Sequence, residues 1–165
     1  MTVLIASDHA GFELKEYIKT ELGSDYTFVD LGTTNQESVD YSDFADALCQ
    51  KLIADQRLAY SNTTLFGVLL CGSGVGICMR ANRYPQIRAV QIWSEDIAKL
   101  SRLHNDANIA CFGERLQDKV DCLNMLETFL TTKFLGENAG KAGSTDAAAI
   151  RHLKRVKKLS TPVKV

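Results

Sequence analysis

The sequence has no apolar run near the ~20 residues that a membrane-spanning helix needs. No leader is expected, because the sequence enters a strand-like stretch, Val3 to Ser7, with no basic region or long apolar core before it. A soluble, cytoplasmic protein is expected. The chain lacks a dominant charge: its net value is -1, so nothing argues for a nucleic-acid or anionic-membrane surface, although residues 151–158 are locally basic. Its five cysteines are odd in number, lie in or beside apolar segments and show no CxxC or Cys/His spacing, which excludes a disulfide framework and a zinc site. Reduced thiols are expected instead. No repeat or low-complexity segment is present. Two nucleotide motifs are missing as well. The run Gly72 to Gly76, GSGVG, is not a full GxGxxG and no acidic residue follows at ribose distance. The glycines between Gly136 and Ala142 have the wrong spacing for a phosphate loop, and no Ser or Thr follows Lys141.

What is present suits one core. The chain has 165 residues, 45% of them hydrophobic, and a single domain over residues 1–165 is expected. Short apolar strands at 3–6, 27–31, 65–71, 88–92 and 108–112 alternate with helix-periodic segments at 11–22, 43–53, 77–82, 95–103, 118–135 and 146–159. Parallel neighbours need helix-sized crossovers, so the alternation predicts an α/β fold: a three-layer αβα sandwich on a doubly wound, five-stranded parallel sheet, Rossmann-like or flavodoxin-like. Residues 33–42 and 55–64 read as polar connections. Residues 136–144 read as a flexible insert before a basic C-terminal helix at 145–159, on which Ile150, Leu153 and Val156 are spaced to pack on another surface.

In such sheets ligands collect beyond the carboxyl ends of the strands. Those ends carry Ser7, Asp8 and His9, then Cys71 to Gly76, then Gly113 to Arg115. The apolar run from Leu65 ends in Cys71 and passes into three alternating glycines, which allow close approach of backbone amides to a ligand. A free cysteine is commonly a small buried hydrophobe. At a strand end beside a helix N-terminus it is also placed to act as a thiolate base or nucleophile. The remaining four, Cys49, Cys78, Cys111 and Cys122, lack that setting and read as structural. His9 and His104 could join Cys71, whereas His152 reads as solvated helix surface. His104 and Asn105 precede the fifth strand, on what is ordinarily the opposite edge. Arg151 and Arg155 stand at i and i+4, and with Arg115 could hold a phosphate dianion if they converge.

Seven strings carry a resemblance over nearly the whole chain: SDHAGFELK, DYSDFA, CGSGVGI, AN at 81–82, IRAV, SRLHNDANI and FGER. In this order and spacing the sequence resembles the type B ribose-5-phosphate isomerases, and also the related galactose-6-phosphate isomerase subunits. The resemblance implies an aldose–ketose isomerase in which Cys71 moves the proton between C2 and C1 and His104 assists ring opening. It implies that Asn105 and the amides around Gly72, Ser73, Gly74, Val75 and Gly76 steady an enediolate oxygen, and that Asp8, His9 and Tyr41 meet the substrate. The phosphate would be held by His9, Arg115, Arg151 and Arg155. No metal or cofactor is implied. The partner implied is a second copy, in a homodimer or dimer of dimers, with the C-terminal helix reaching the other subunit and the site shared. Ile77 occupies the place where other members carry a glutamate base, and Ser42 stands where the family usually has proline. Ribose 5-phosphate is the expected substrate. A six-carbon sugar phosphate, allose or galactose 6-phosphate, is the alternative, and a non-catalytic flavodoxin-like binding module is the reading from another class.

Overall fold

The computed structural model describes residues 1–55, 65–139 and 145–161. Most of the polar connection expected at 55–64, and positions 140–144 of the expected insert, lie outside the described residues. The strands are β1 (Thr2–Ser7), β2 (Thr27–Asp30), β3 (Leu65–Cys71), β4 (Ala89–Gln91) and β5 (Ile109–Gly113). The helices are α1 (Phe12–Leu22), α2 (Tyr41–Ala54), α3 (Val75–Ala81), α4 (Glu95–Asn105), α5 (Lys119–Thr131) and α6 (Ala147–Leu159), with 3-10 turns at His9–Gly11 and Leu135–Asn138. The sheet order is β2-β1-β3-β5-β4 and all four pairings are parallel. The expected αβα sandwich is therefore what the chain forms.

The alternation of strand side chains divides the core into two layers. Val3, Ile5, Phe66, Val68, Leu70, Ala110 and Phe112 face a layer supplied by α1, α4 and α5. Leu4, Ala6, Leu65, Leu69, Cys71, Ile109 and Cys111 face α2 and α3. Every residue of β3 is buried. A central parallel strand covered on both faces accounts for its unbroken apolar run, and each large side chain buried there contributes about 1.5–3 kcal/mol.

Caps set the helix ends, and they move several boundaries from where periodicity puts them. The Asp40 carboxylate accepts the Ser42 amide at 3.2 Å and the Ser42 hydroxyl at 2.6 Å. Helix α2 therefore starts at Tyr41, and Tyr41 and Ser42 form its first turn rather than the end of a loop. Helix α5 stops at Thr131, short of the expected Leu135. The hydroxyls of Thr131 and Thr132 donate to the carbonyls of Glu127 and Thr128 at 2.7 and 2.6 Å, and Thr132 turns extended. On α6 the buried positions are Ala149, His152 and Val156. His152 is 7% exposed and Ile150 44% exposed. This corrects the expectation of His152 as solvated surface: helix α6 turns its histidine inward.

Between α4 and β5 a fully buried carboxylate organises the chain. Asp106, in the left-handed conformation at φ 47, accepts from Arg88 Nη2 at 3.0 Å and from Arg102 Nη1 at 2.8 Å. Arg88 Nε also donates to the Asp106 carbonyl at 2.8 Å, and Asn108 Oδ1 accepts the Arg88 amide at 2.8 Å. Burial pushes Arg102 below its ordinary value, against the opposing pull of Asp106. The Arg102 guanidinium lies 4.7 Å from the Phe66 ring centroid. Asp106→Asn keeps the shape and tolerates the left-handed backbone but removes the charge between two buried arginines. Urea unfolding at neutral pH should show a loss of about 3 kcal/mol, and a loss below ~1 kcal/mol would contradict this role for the carboxylate.

Candidate active site

The carboxyl ends of β1, β3 and β5 enclose a cleft of about 520 Å³. Asp8, His9, Tyr41, Cys71, Gly72, Ser73, Val75, Gly76 and Arg115 line it, together with Ala10 and Leu116. Nine of the fourteen expected site residues thus come together on one chain. Gly74 stands just behind them, with its amide turned to the thiol. His104, Asn105, Arg151 and Arg155 do not line this cleft. Asn105 opens on a separate hollow of about 300 Å³ beside Arg88 and Ala107. His104 stacks face to face on His152, with ring centroids 4.5 Å apart and planes inclined by 8°. Arg151 and Arg155 are exposed on α6.

Each lining group is held by local structure. At the end of β1, Asp8 Oδ1 accepts the amides of Ala10 at 2.9 Å and Gly11 at 3.1 Å, capping the 3-10 turn. Burial raises the Asp8 carboxyl above its ordinary value, with those amides and nearby His9 and Arg115 pulling the other way. His9 Nδ1 accepts the Val39 amide at 3.1 Å, which places the proton of the neutral ring on Nε2. Cys71 is 4% exposed, at the boundary between core and cleft. Its Sγ accepts the Gly74 N–H at 3.1 Å.

The glycine turn is close-packed. Gly74 has φ 77, and a Cβ there would come within 2.9 Å of the Phe112 carbonyl carbon. A Cβ on Gly113 would lie 2.4 Å from the Ser73 carbonyl carbon. Only glycine fits at either position. The Arg115 amide bonds the Gly72 carbonyl at 3.1 Å, and the Arg115 side chain passes close to Gly72. The Tyr41 ring covers Gly76.

Two glutamines that sequence reading missed complete the support. Gln91 Nε2 donates to the Ser73 carbonyl at 2.8 Å. Gln117 accepts the Gly113 amide at 2.8 Å and donates to the Ile92 carbonyl at 2.8 Å, tying the end of β5 to the chain beyond β4. The available signal was an uncharged polar residue in the otherwise apolar AVQIW at a strand end. Among the other cysteines, burial pushes the Cys49 and Cys122 thiols up to about 12 and Cys111 well above its ordinary value. Cys78 moves the other way, through a hydrogen bond from Cys111 and the Gln91 backbone amide.

A thiol cushioned by an amide, flanked by Asp8 and His9 and faced by Arg115, describes a site for moving a proton on an anionic polyol. Residues 3–159 match the family model described as Ribose/Galactose Isomerase. The chain is 34% identical over 134 residues to ribose-5-phosphate isomerase B of Mycolicibacterium paratuberculosis, covering 80% of each. Its fold is similar to that of ribose 5-phosphate isomerase B from Anaplasma phagocytophilum, with TM-score 0.79 and 39% identity over 96% of this chain and 95% of that one. It is also similar to the Mycoplasma genitalium enzyme solved with bound ribulose-5-phosphate, with TM-score 0.78 and 32% identity over 96% of this chain and 93% of that one. The protein is a sugar-phosphate isomerase. It belongs to the ribose/galactose isomerase family. Among the described residues no helix is long and apolar enough to cross a membrane.

The stacked histidines give a pH-dependent prediction. Burial against α4, then the charges of His104, Arg151 and Arg155, hold His152 below its ordinary 6.5. As pH falls through 6.5 the unfolded chain takes up this proton before the folded one does, so stability is full above 6.5 and declines below it. Comparison with His152→Gln isolates the effect. Between about pH 7 and about pH 5.5 the parent chain should lose stability relative to the variant in urea titrations, and parallel pH dependences would contradict the assignment.

Proposed function

We propose that the chain interconverts ribose 5-phosphate and ribulose 5-phosphate through a cis-enediolate, with Cys71 as the base. The observation that carries this reading is the hydrogen bond from Gly74 N–H to Cys71 Sγ at the mouth of the cleft, beside Asp8, His9 and Arg115. A thiolate held there removes the proton from C2 of the open-chain aldose. Charge develops on the C1 oxygen, the proton from C2 returns to C1, the C2 hydroxyl proton passes to the C1 oxygen, and the carbonyl re-forms at C2. Amides of the turn at Gly72 to Gly76, with Asn105, steady the oxygen as it charges, which is where most of the acceleration arises. Asp8 and Tyr41 contact the sugar. Arg115 and His9 hold the phosphate. This chemistry calls for no metal or cofactor, since a side chain supplies the base and fixed donors hold the charge.

His104, which assists ring opening, and Asn105, Arg151 and Arg155 serve the cleft of a second copy in a homodimer. Their separation from the cleft of their own chain supports that arrangement. So does the exposed apolar rim of the cleft, where Leu116 is 69% and Tyr41 39% exposed. The family takes in isomerases of both ribose and galactose, so isomerisation of a six-carbon phosphate is the second reading. Rates on ribose, allose and galactose phosphates, measured side by side, separate the two. Exclusive turnover of a six-carbon sugar would overturn the first.

Cys71→Ala should lower kcat by about 10²–10⁴, the span of a lost general base, while the phosphate groups still bind substrate. Full activity in that variant would remove the proposed base. The shared site has its own signature. Cys71→Ala and His104→Ala should each be inactive alone, yet mixing them should restore about a quarter of parental activity, because half the dimers are mixed and one of their two sites is intact. No recovery after subunit exchange would place His104 in its own chain's chemistry.

A further inference from the structure

Ser73 and Gly74 share one peptide unit, and both of its polar groups are engaged. On one side the Ser73 carbonyl accepts from Gln91 Nε2 at 2.8 Å. On the other the Gly74 N–H donates to Cys71 Sγ at 3.1 Å. Among the described residues there is no cis peptide bond. In a trans peptide the carbonyl and the N–H point in opposite directions from a rigid plane. The side chain at the end of β4 and the thiol at the end of β3 therefore grip opposite edges of the same plate.

The plate needs such a grip. Its C-terminal residue is a glycine at φ 77, and glycine occupies both signs of φ with little steric cost, so the unit can rotate unless its carbonyl is anchored. Rotation would turn a carbonyl oxygen toward the sulfur in place of the N–H. That would set a partial negative charge against a thiolate. A donor on the carbonyl also polarises the amide and strengthens the bond made by the same unit's N–H.

We propose that Gln91 is a positioning residue for the isomerase reaction: its side-chain amide fixes the Ser73–Gly74 peptide so that the Gly74 N–H is aimed at Cys71, sustaining the thiolate. The inference rests on the isomerase reading for what the thiolate then does. Gln91 is well sited for the task. It is the last residue of β4, paired in register with Cys111 of β5, and half-buried. Its backbone amide bonds Cys78, an interaction that side-chain replacement leaves intact. The other groups that face Cys71 are Asp8 and His9 beyond β1, Tyr41 on α2, Arg115 beyond β5, Cys111 on β5 and, through Cys111, Cys78 on α3. Substituting Gln91 removes none of them.

The test reads the thiolate of the substrate-free protein. Its far-ultraviolet absorbance is followed against pH, with the same titration of a Cys71→Ala background subtracted. Gln91→Met keeps the length and most of the packing but cannot donate. Gln91→Glu keeps the shape but sets a carboxylate against the Ser73 carbonyl. In Gln91→Met the titration midpoint should rise by about half a unit to one unit, as expected for one lost hydrogen bond to an ionised group's support. It should rise further in Gln91→Glu. The ascending limb of the kcat profile should move with it, lowering kcat near neutral pH by about three- to tenfold with KM changed less than about twofold. A midpoint in either folded variant equal to the parent's overturns the proposal. Because the titration uses no substrate, absence of ribose 5-phosphate turnover would refute the isomerase reading without deciding the role of Gln91.

Discussion

The direction of the chain reverses across the middle of the sheet, and the site exists because of that reversal. From β1 the chain crosses outward to β2, whereas from β3 it crosses the other way to β4 and back to β5. The connections leave β1 and β3 in opposite directions, and a crevice stays open between their carboxyl ends. Asp8 and Cys71 stand on its two sides. Cys71 projects to the α2 and α3 side and is almost wholly buried, so its sulfur meets core on one side and the cleft on the other. A strand any less buried would leave the thiol in bulk water. The seven buried residues of β3 are therefore a functional constraint as much as a packing one.

A second constraint is electrostatic and lies away from the cleft. In the string SRLHNDANI the residues with the tightest contacts are those that hold the chain, not those assigned to chemistry. Arg102 and Asp106 form a buried pair that Arg88 completes, and Asn108 binds the backbone of Arg88 and of Gln86. Asp106 takes the left-handed conformation that ends α4. Together they fix the last turn of α4, from which His104 and Asn105 project. A charge pair this deep costs much to desolvate and is weak evidence for net stability. What it supplies here is position, at the point where the subunit would offer its histidine to a neighbour.

The sheet, its layers and the residues that line the cleft were legible in the sequence, because burial on both faces leaves a simple signature. Leu65 to Cys71 is apolar without alternation, and Gly72, Gly74 and Gly76 follow a strand where a ligand-binding turn belongs. The elements less well read were those decided by capping and tertiary contact. Asp40 draws Tyr41 and Ser42 into α2, and threonine hydroxyls end α5 early. The setting of His152 was misread because a lone histidine on a basic helix reads as solvated. The helix instead buries Ala149, His152 and Val156, with His152 stacked on His104, a preference that hydrophobic periodicity does not encode. Gln91 and Gln117 were invisible for a related reason. Gln91 donates to Ser73 and Gln117 to Ile92, groups 18 and 25 residues away, and sequence pattern does not announce those partners.

The central claim is that the thiolate of Cys71 takes the C2 proton of an open-chain sugar phosphate. Deuterium exchange tests it most directly. Ribose 5-phosphate incubated with the protein in D2O should gain deuterium at C2, followed by NMR. Cys71→Ser, with the cleft and the phosphate groups kept, should still bind the sugar but leave C2 protonated. Persistent exchange at C2 in Cys71→Ser would contradict the account and assign the proton transfer to another group in the cleft.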